Sequence, residues 1–189
     1  MKYDPNVCHR GSIRLREYDY SQPGGYFVTL CTHRRECILG DIADGNVQLN
    51  QFGEIVKEEW LRTEQIRPEI TMDEFMVMPN HMHGIIMINP VGATRRVAQK
   101  YRATHRVART GRPCGPVAGS IGAIMGQFKS IVTKRINSLG KTPLTPIWQR
   151  NYYEHVIRDE DDLNRIRQYI IDNPSKWDGD EENPQNWKK

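Results

Sequence analysis

The 189-residue chain carries 27 Lys and Arg against 23 Asp and Glu, a net charge of +4, and its length suits one domain over 1–189. No apolar run approaches the roughly 18 residues of a membrane-spanning helix, and the start MKYDPNVCHRGS lacks the apolar centre of a secretion signal. Cys8, Cys31, Cys37 and Cys114 show neither CxxC pairing nor zinc-finger spacing, which argues against a disulfide scaffold and for a soluble cytoplasmic protein with free thiols.

In chain order, residues 8–20 form a basic arm in which Arg10, Arg14 and Arg16 mix with Tyr18 and Tyr20. SQPGG then breaks the chain. YFVTLCTH (26–33) is rich in β-branched and aromatic residues and reads as a strand. A Gly/Asp/Asn-rich turn region runs to about Asn50. A helix is expected over 54–66, with Val56 and Trp60 one turn apart and Pro68 ending it. EFMVMP (74–79) and HMHGIIMI (81–88) read as strands joined tightly through Pro79-Asn80.

The stretch 91–118 holds Arg95, Arg96 and many further basic residues with no acids, and supplies no face to bury; it reads as a flexible basic insertion. Ser120 suits the N-cap of a helix whose Ile121, Ile124, Met125, Phe128, Ile131 and Val132 follow the helical period. IWQRNYYEHVIR (147–158) reads as a strand. Asp159 then suits the cap of a terminal helix with an acidic first turn, and the tail DGDEENPQNWKK reads as polar and frayed. Strand, helix, strand, strand, helix, strand, helix fits an α+β fold: a ferredoxin-like antiparallel sheet with helices on one face.

Two local features carry chemistry. His81 and His83 stand at i and i+2 of a strand, so both imidazoles share one face. Such a pair suits a divalent cation that takes a third ligand and keeps open positions; a pair of polar residues satisfied by backbone or water is the alternative. On the terminal helix Leu163, Ile166 and Ile170 make the apolar stripe, and Tyr169 and Asn173 lie one turn apart along its flank. They read either as a nucleophile with a metal-binding carboxamide or as a core-packing ring with a helix terminator.

The string VMPNHMHGIIMI, followed by GQFKSIVTKRIN and then WQRNYYEHVIRDEDDLNRIRQYIIDNP, resembles the one-tyrosine HUH transposases, and within them the REP-associated tyrosine transposases. YDYSQPGGYFVTLCTHRRECILGDI resembles their N-terminal portion, so the likeness spans roughly residues 9–177 around the basic insertion. The resemblance implies an HUH endonuclease fold, His81 and His83 as ligands of Mg²⁺ or Mn²⁺, and Tyr169 as nucleophile. Asn173 falls where insertion-sequence members carry a metal-binding glutamine, as it does in the REP-associated branch; it is shorter by a methylene.

The implied activity is nicking and rejoining of single-stranded DNA near palindromic hairpins through a 5′-phosphotyrosine. Arg10, Arg14, Arg16, Arg95, Arg96, Lys129 and Arg150 are candidate phosphate contacts, with Tyr18, Tyr20 or Trp148 available to stack on unpaired bases. Tyr152 and Tyr153 compete for the nucleophile role, and His155 reads as structural. Rival readings are a rolling-circle-type nickase and a catalytically silent hairpin-binding regulator. Both a homodimer that exchanges the tyrosine helix and a monomer stay open.

Overall fold

The computed structural model describes residues 18–90, 116–142, 144–180 and 182–186; the basic arm 8–20 up to residue 17, with Arg10, Arg14 and Arg16, and the basic insertion 91–118 up to residue 115, with Arg95 and Arg96, lie outside them. Four strands form one antiparallel sheet in the order β4-β5-β1-β6: β1 (Gly24–Cys31), β4 (Ile70–Val77), β5 (His81–Ile88) and β6 (Tyr153–Ile157). Helix α1 (Gln51–Ile66) connects β1 to β4, and α2 (Ile121–Gly140) connects β5 to β6. This is the expected α+β class with ferredoxin-like topology, the first strand lying between the third and fourth of the sheet. No helix among the described residues is long and apolar enough to cross a membrane.

The sheet is apolar on both faces, and this corrects the expectation that the helices share one. Tyr26, Val28 and Leu30 of β1 and Met82, Ile86 and Ile88 of β5 bury against α1 and α2. Their alternates Phe27 and Ile85 point the other way and pack with Leu163, Ile166 and Ile170 of helix α3 (Glu160–Asp172). An uncovered Phe27 and Ile85 would leave a second apolar face in water, so α3 lies across it. Arg167 ties α3 to β4 through Asp73, Nε to Oδ1 at 2.8 Å and a terminal nitrogen to Oδ2 at 2.6 Å.

Gly84 of β5 sits directly beneath the Trp60 indole, where an added Cβ would collide with the ring. That close approach lets a residue as large as tryptophan lie flat on the sheet.

The turn region before α1 holds a hairpin, β2 (Gly40–Ala43) and β3 (Asn46–Leu49). Asp44 and Gly45 both take positive φ, 52° and 69°, as a type I′ turn requires. The Asn50 side chain accepts from Phe52 N and Gly53 N, so α1 starts at Gln51 rather than residue 54. Ser120 and Asp159 cap α2 and α3 as expected.

Of the expected 147–158 strand, 153–157 form β6 against β1, and Trp148 bridges Thr32 at the end of β1 with Gln149 N donating to Cys31 O at 3.0 Å. Between the two, the carbonyls of Gln149 and Arg150 accept from Lys129 Nζ at 2.5 and 3.1 Å, and the ladder is interrupted there.

The described tail residues 178–180 and 182–186 are held in place where fraying was expected. Two 3-10 turns, Pro174–Gly179 and Pro184–Asn186, bury Trp177 and lie back over the α3 side of the sheet. Asn183 Nδ2 donates to Trp177 O at 3.0 Å, and Asn186 Nδ2 donates to Asp178 O and Asp180 O at 2.8 and 2.9 Å. Polar side chains bonding to backbone fix this segment without a helix or strand.

Candidate metal and nucleophile site

Strand β5 opens with His81 and His83, paired across the ladder with Cys31 and Thr29 of β1. Both imidazoles are buried, and their Nε2 atoms face each other at 3.0 Å. Asn80 decides which nitrogen of His81 carries the proton. Its Nδ2 donates to Arg35 O at 3.1 Å and Glu182 O at 2.7 Å. Its Oδ1 therefore meets His81 Nδ1, at 2.8 Å, as an acceptor. His81 donates from Nδ1, which leaves a lone pair on Nε2.

His83 Nδ1 lies 2.9 Å from Thr29 Oγ1, a group that can donate or accept. With the His83 proton on Nε2, the two imidazoles satisfy one another. With that proton on Nδ1, accepted by Thr29, both Nε2 lone pairs are open to a cation. Burial pushes His81 down to about 4, with the Asp180 charge and the Asn173 side chain acting in the opposite sense. Burial and the neighbouring His81 hold His83 well below the ordinary histidine value. Both rings are thus neutral near pH 7, the form in which imidazole binds metal.

Helix α3 brings two further groups to the pair. Tyr169 OH lies 3.4 Å from His83 Nε2. Its ring stands edge-on to Phe27 with centroids 6.1 Å apart, and 45% of the residue is exposed. Burial raises the Tyr169 pKa, the nearby Asp180 and Glu182 charges raise it further, and Asn173 acts the other way. Asn173 ends the helix before Pro174 and is 2% exposed. Its Nδ2 donates to Asp180 Oδ2 at 3.4 Å, while its Oδ1 is buried with no hydrogen-bond partner. The Trp177 ring lies 6.0 Å from that of His81 and covers the site from the tail.

These residues fit a divalent cation. Among the described residues no three His, Cys, Asp or Glu side chains gather as a metal site, so a third ligand among them would be of another type. A buried carbonyl oxygen without a partner is a costly group, and Asn173 Oδ1 is one beside two imidazoles. Separation of the two Nε2 atoms by 3.0 Å matches neighbouring ligands on an octahedral ion with bonds of about 2.1 Å.

Of the competing tyrosines, Tyr153 lies opposite Thr29 on the site's face of the sheet, half exposed, with its ring 6.1 Å from Phe27. Tyr152 packs against the opposite core. His155 Nε2 bonds Asp162 Oδ2 at 2.8 Å, and Asp162 also accepts from Arg158 N, so this histidine joins β6 to α3. The Lys129 ammonium is taken up by loop carbonyls, whereas Arg150 is exposed beside them. Sequence reasoning did not single out Asn80, Thr29, Trp177, Asp180 or Glu182. Asn80 next to the histidines was legible as a neighbour; nothing local marks the tail residues.

No family model matches the chain. A Haemophilus influenzae protein known only as an uncharacterized protein is 40% identical over 182 residues, spanning 95% of this chain and 96% of that one. The solved structure of a REP-associated tyrosine transposase bound to a REP hairpin aligns at a TM-score of 0.56 and 21% identity, over 87% of this chain and 74% of its own. The chain therefore belongs to the same family as the Haemophilus influenzae protein, and it has the fold of that tyrosine transposase.

Proposed function

We propose that the chain is a transposase-type enzyme that nicks and rejoins single-stranded DNA beside a hairpin, with Tyr169 as nucleophile. The observation that carries this reading is the convergence of Tyr169 OH, two neutral imidazoles and an unpartnered carboxamide oxygen on one spot. His81, His83 and Asn173 would hold a Mg²⁺ or Mn²⁺ ion, which would supply Lewis-acid charge to the scissile phosphate.

The chain's own residues do the rest. Burial and the nearby Asp180 and Glu182 charges raise the Tyr169 pKa and keep the phenol protonated near pH 7, so a cation bound beside it would favour loss of the proton. The half-exposed ring gives the departing proton a route to water. The phenolate oxygen then attacks phosphorus, the bond to the 3′ oxygen breaks, and a 5′-phosphotyrosine and a free 3′-OH result. A 3′-OH from another strand reverses the step, so joining needs no nucleotide cofactor.

The hairpin partner is carried over from the structural neighbour, which is bound to one. Arg150 with the basic arm and insertion supplies cations for phosphates, Arg10, Arg14, Arg16, Arg95 and Arg96 among them. Lys129 acts on this path by holding the loop that carries Arg150. Tyr169 OH lies 3.4 Å from His83 Nε2 of its own chain, which supports assembly of the site within one copy.

The test is cleavage of labelled hairpins with single-stranded flanks, taken from the palindromes around the gene. Strand scission with Mn²⁺ or Mg²⁺, lost with chelator and in His83→Ala, is the expected result. Tight, salt-sensitive binding without scission in either metal would instead make the protein a hairpin-binding regulator.

A further inference from the structure

The tail contributes a residue to the cation site that neither the histidine pair nor the tyrosine helix explains. Asn173 has one carboxamide, and the way it is turned decides whether oxygen or nitrogen is presented to the histidines. A carboxylate only accepts hydrogen bonds. Asp180 Oδ2 at 3.4 Å from the amide nitrogen therefore draws the NH₂ side toward the tail, and Oδ1 is left as the buried, unpartnered atom.

Asp180 is itself held. Its Oδ1 accepts from Glu182 N at 2.7 Å. Its backbone N donates to Trp177 O, and its backbone O accepts from Asn183 N, each at 3.1 Å. The carboxylate thus belongs to a built turn whose other members are the Trp177 ring beside His81 and the buried Asn183. The Asn173 carboxamide also adjoins the His81 ring and the Tyr169 hydroxyl, so its orientation acts on both.

We infer that Asp180 is a positioning residue of the cation site, fixing the Asn173 carboxamide so that Oδ1 serves as the third ligand from the chain. The inference rests on the metal site of the proposed function. It makes the segment that holds Asp180, with Glu182 and Asn183, part of that site, although these residues lie beyond the tyrosine helix. Outer partners of this kind commonly change metal affinity 10- to 100-fold when removed.

Mn²⁺ binding to the full chain, followed by titration calorimetry and by the electron paramagnetic resonance of the bound ion, tests this without any DNA. Asp180→Asn is expected to weaken Mn²⁺ about 10- to 100-fold. Asp180→Glu recovers part of the affinity, because it keeps two acceptor oxygens, whereas asparagine has one to share between Glu182 N and the Asn173 amide. Glu182→Gln removes a charge from the same tail without touching Asn173 and leaves the affinity within about threefold; a loss equal to that of Asp180→Asn would make the effect one of charge and overturn the positioning role.

A double-mutant cycle guards against general disruption. If Asp180 acts through Asn173, Asp180→Asn adds no further loss on top of Asn173→Ala. Additive losses overturn the inference, as does unchanged affinity in Asp180→Asn when His83→Ala abolishes binding. Wild-type protein that binds no Mn²⁺, or binds it equally in His83→Ala, overturns the metal site itself and with it the reading beneath.

Discussion

Asn80 Oδ1 accepts a 2.8 Å hydrogen bond from Nδ1 of His81, the next residue, and so fixes the nitrogen with which His81 faces His83. The same side chain ties the 33–35 turn to the tail through Arg35 O and Glu182 O. One amide thus sets a tautomer and joins two segments far apart in sequence.

Replacing it by alanine frees the His81 tautomer and leaves two carbonyls short of a donor. Mn²⁺ affinity in Asn80→Ala is expected to fall about 10- to 100-fold, with a stability loss of about 1–3 kcal/mol. Calorimetric titration and denaturant melts of the same sample measure the two effects together.

The buried histidines make stability depend on pH in a defined sense. His81 takes up a proton only at about 4 in the folded chain, whereas a histidine in the unfolded chain does so near 6.5. Between those values the unfolded state binds more protons, so stability falls as pH drops through the window. For His81 alone the loss amounts to about 3 kcal/mol by pH 4, and His83 adds to it in the same direction. Urea melts of metal-free protein from pH 7 to 4 show this slope, and His81→Gln flattens it.

Gly84→Ala tests the packing beneath the site. A methyl group there meets the Trp60 ring, and Trp60 is fully buried against Phe75 and Phe128. A destabilisation of about 1–3 kcal/mol is expected. A midpoint equal to wild type in denaturant would mean that the indole moves freely, contrary to its packing.

The aromatic run on β6 separates two roles. Tyr153 faces the site yet reaches Phe27 rather than the histidine pair, and Tyr152 lies on the far face. Tyr153→Phe and Tyr152→Phe therefore keep the covalent DNA adduct at wild-type yield on a denaturing gel. Loss of the adduct in either would move the nucleophile to β6.

Much of this was legible because it is local. The i, i+2 spacing placed His81 and His83 on one face, and one helical turn placed Tyr169 near Asn173. The caps Ser120 and Asp159 were visible for the same reason. The face taken by α3 was not, because β5 is apolar on both sides beyond its histidines and alternation could not tell them apart. The β2–β3 hairpin had a signal, Asp44-Gly45, in a stretch too polar to read as strands. The tail had none. Its order comes from Trp177 against His81, Asn80 to Glu182 and side chains that bond backbone, and no sequence period records contacts of that range.

On the proposed mechanism Tyr169 forms the bond to DNA. The most direct measurement is to incubate the protein with Mn²⁺ and a single-stranded hairpin substrate, digest the covalent product, and locate the nucleotide-bearing peptide by mass spectrometry. A phosphotyrosyl adduct is expected on Tyr169, and it disappears in Tyr169→Phe while hairpin binding persists. An adduct on any other residue, or scission that continues unchanged in Tyr169→Phe, would contradict it.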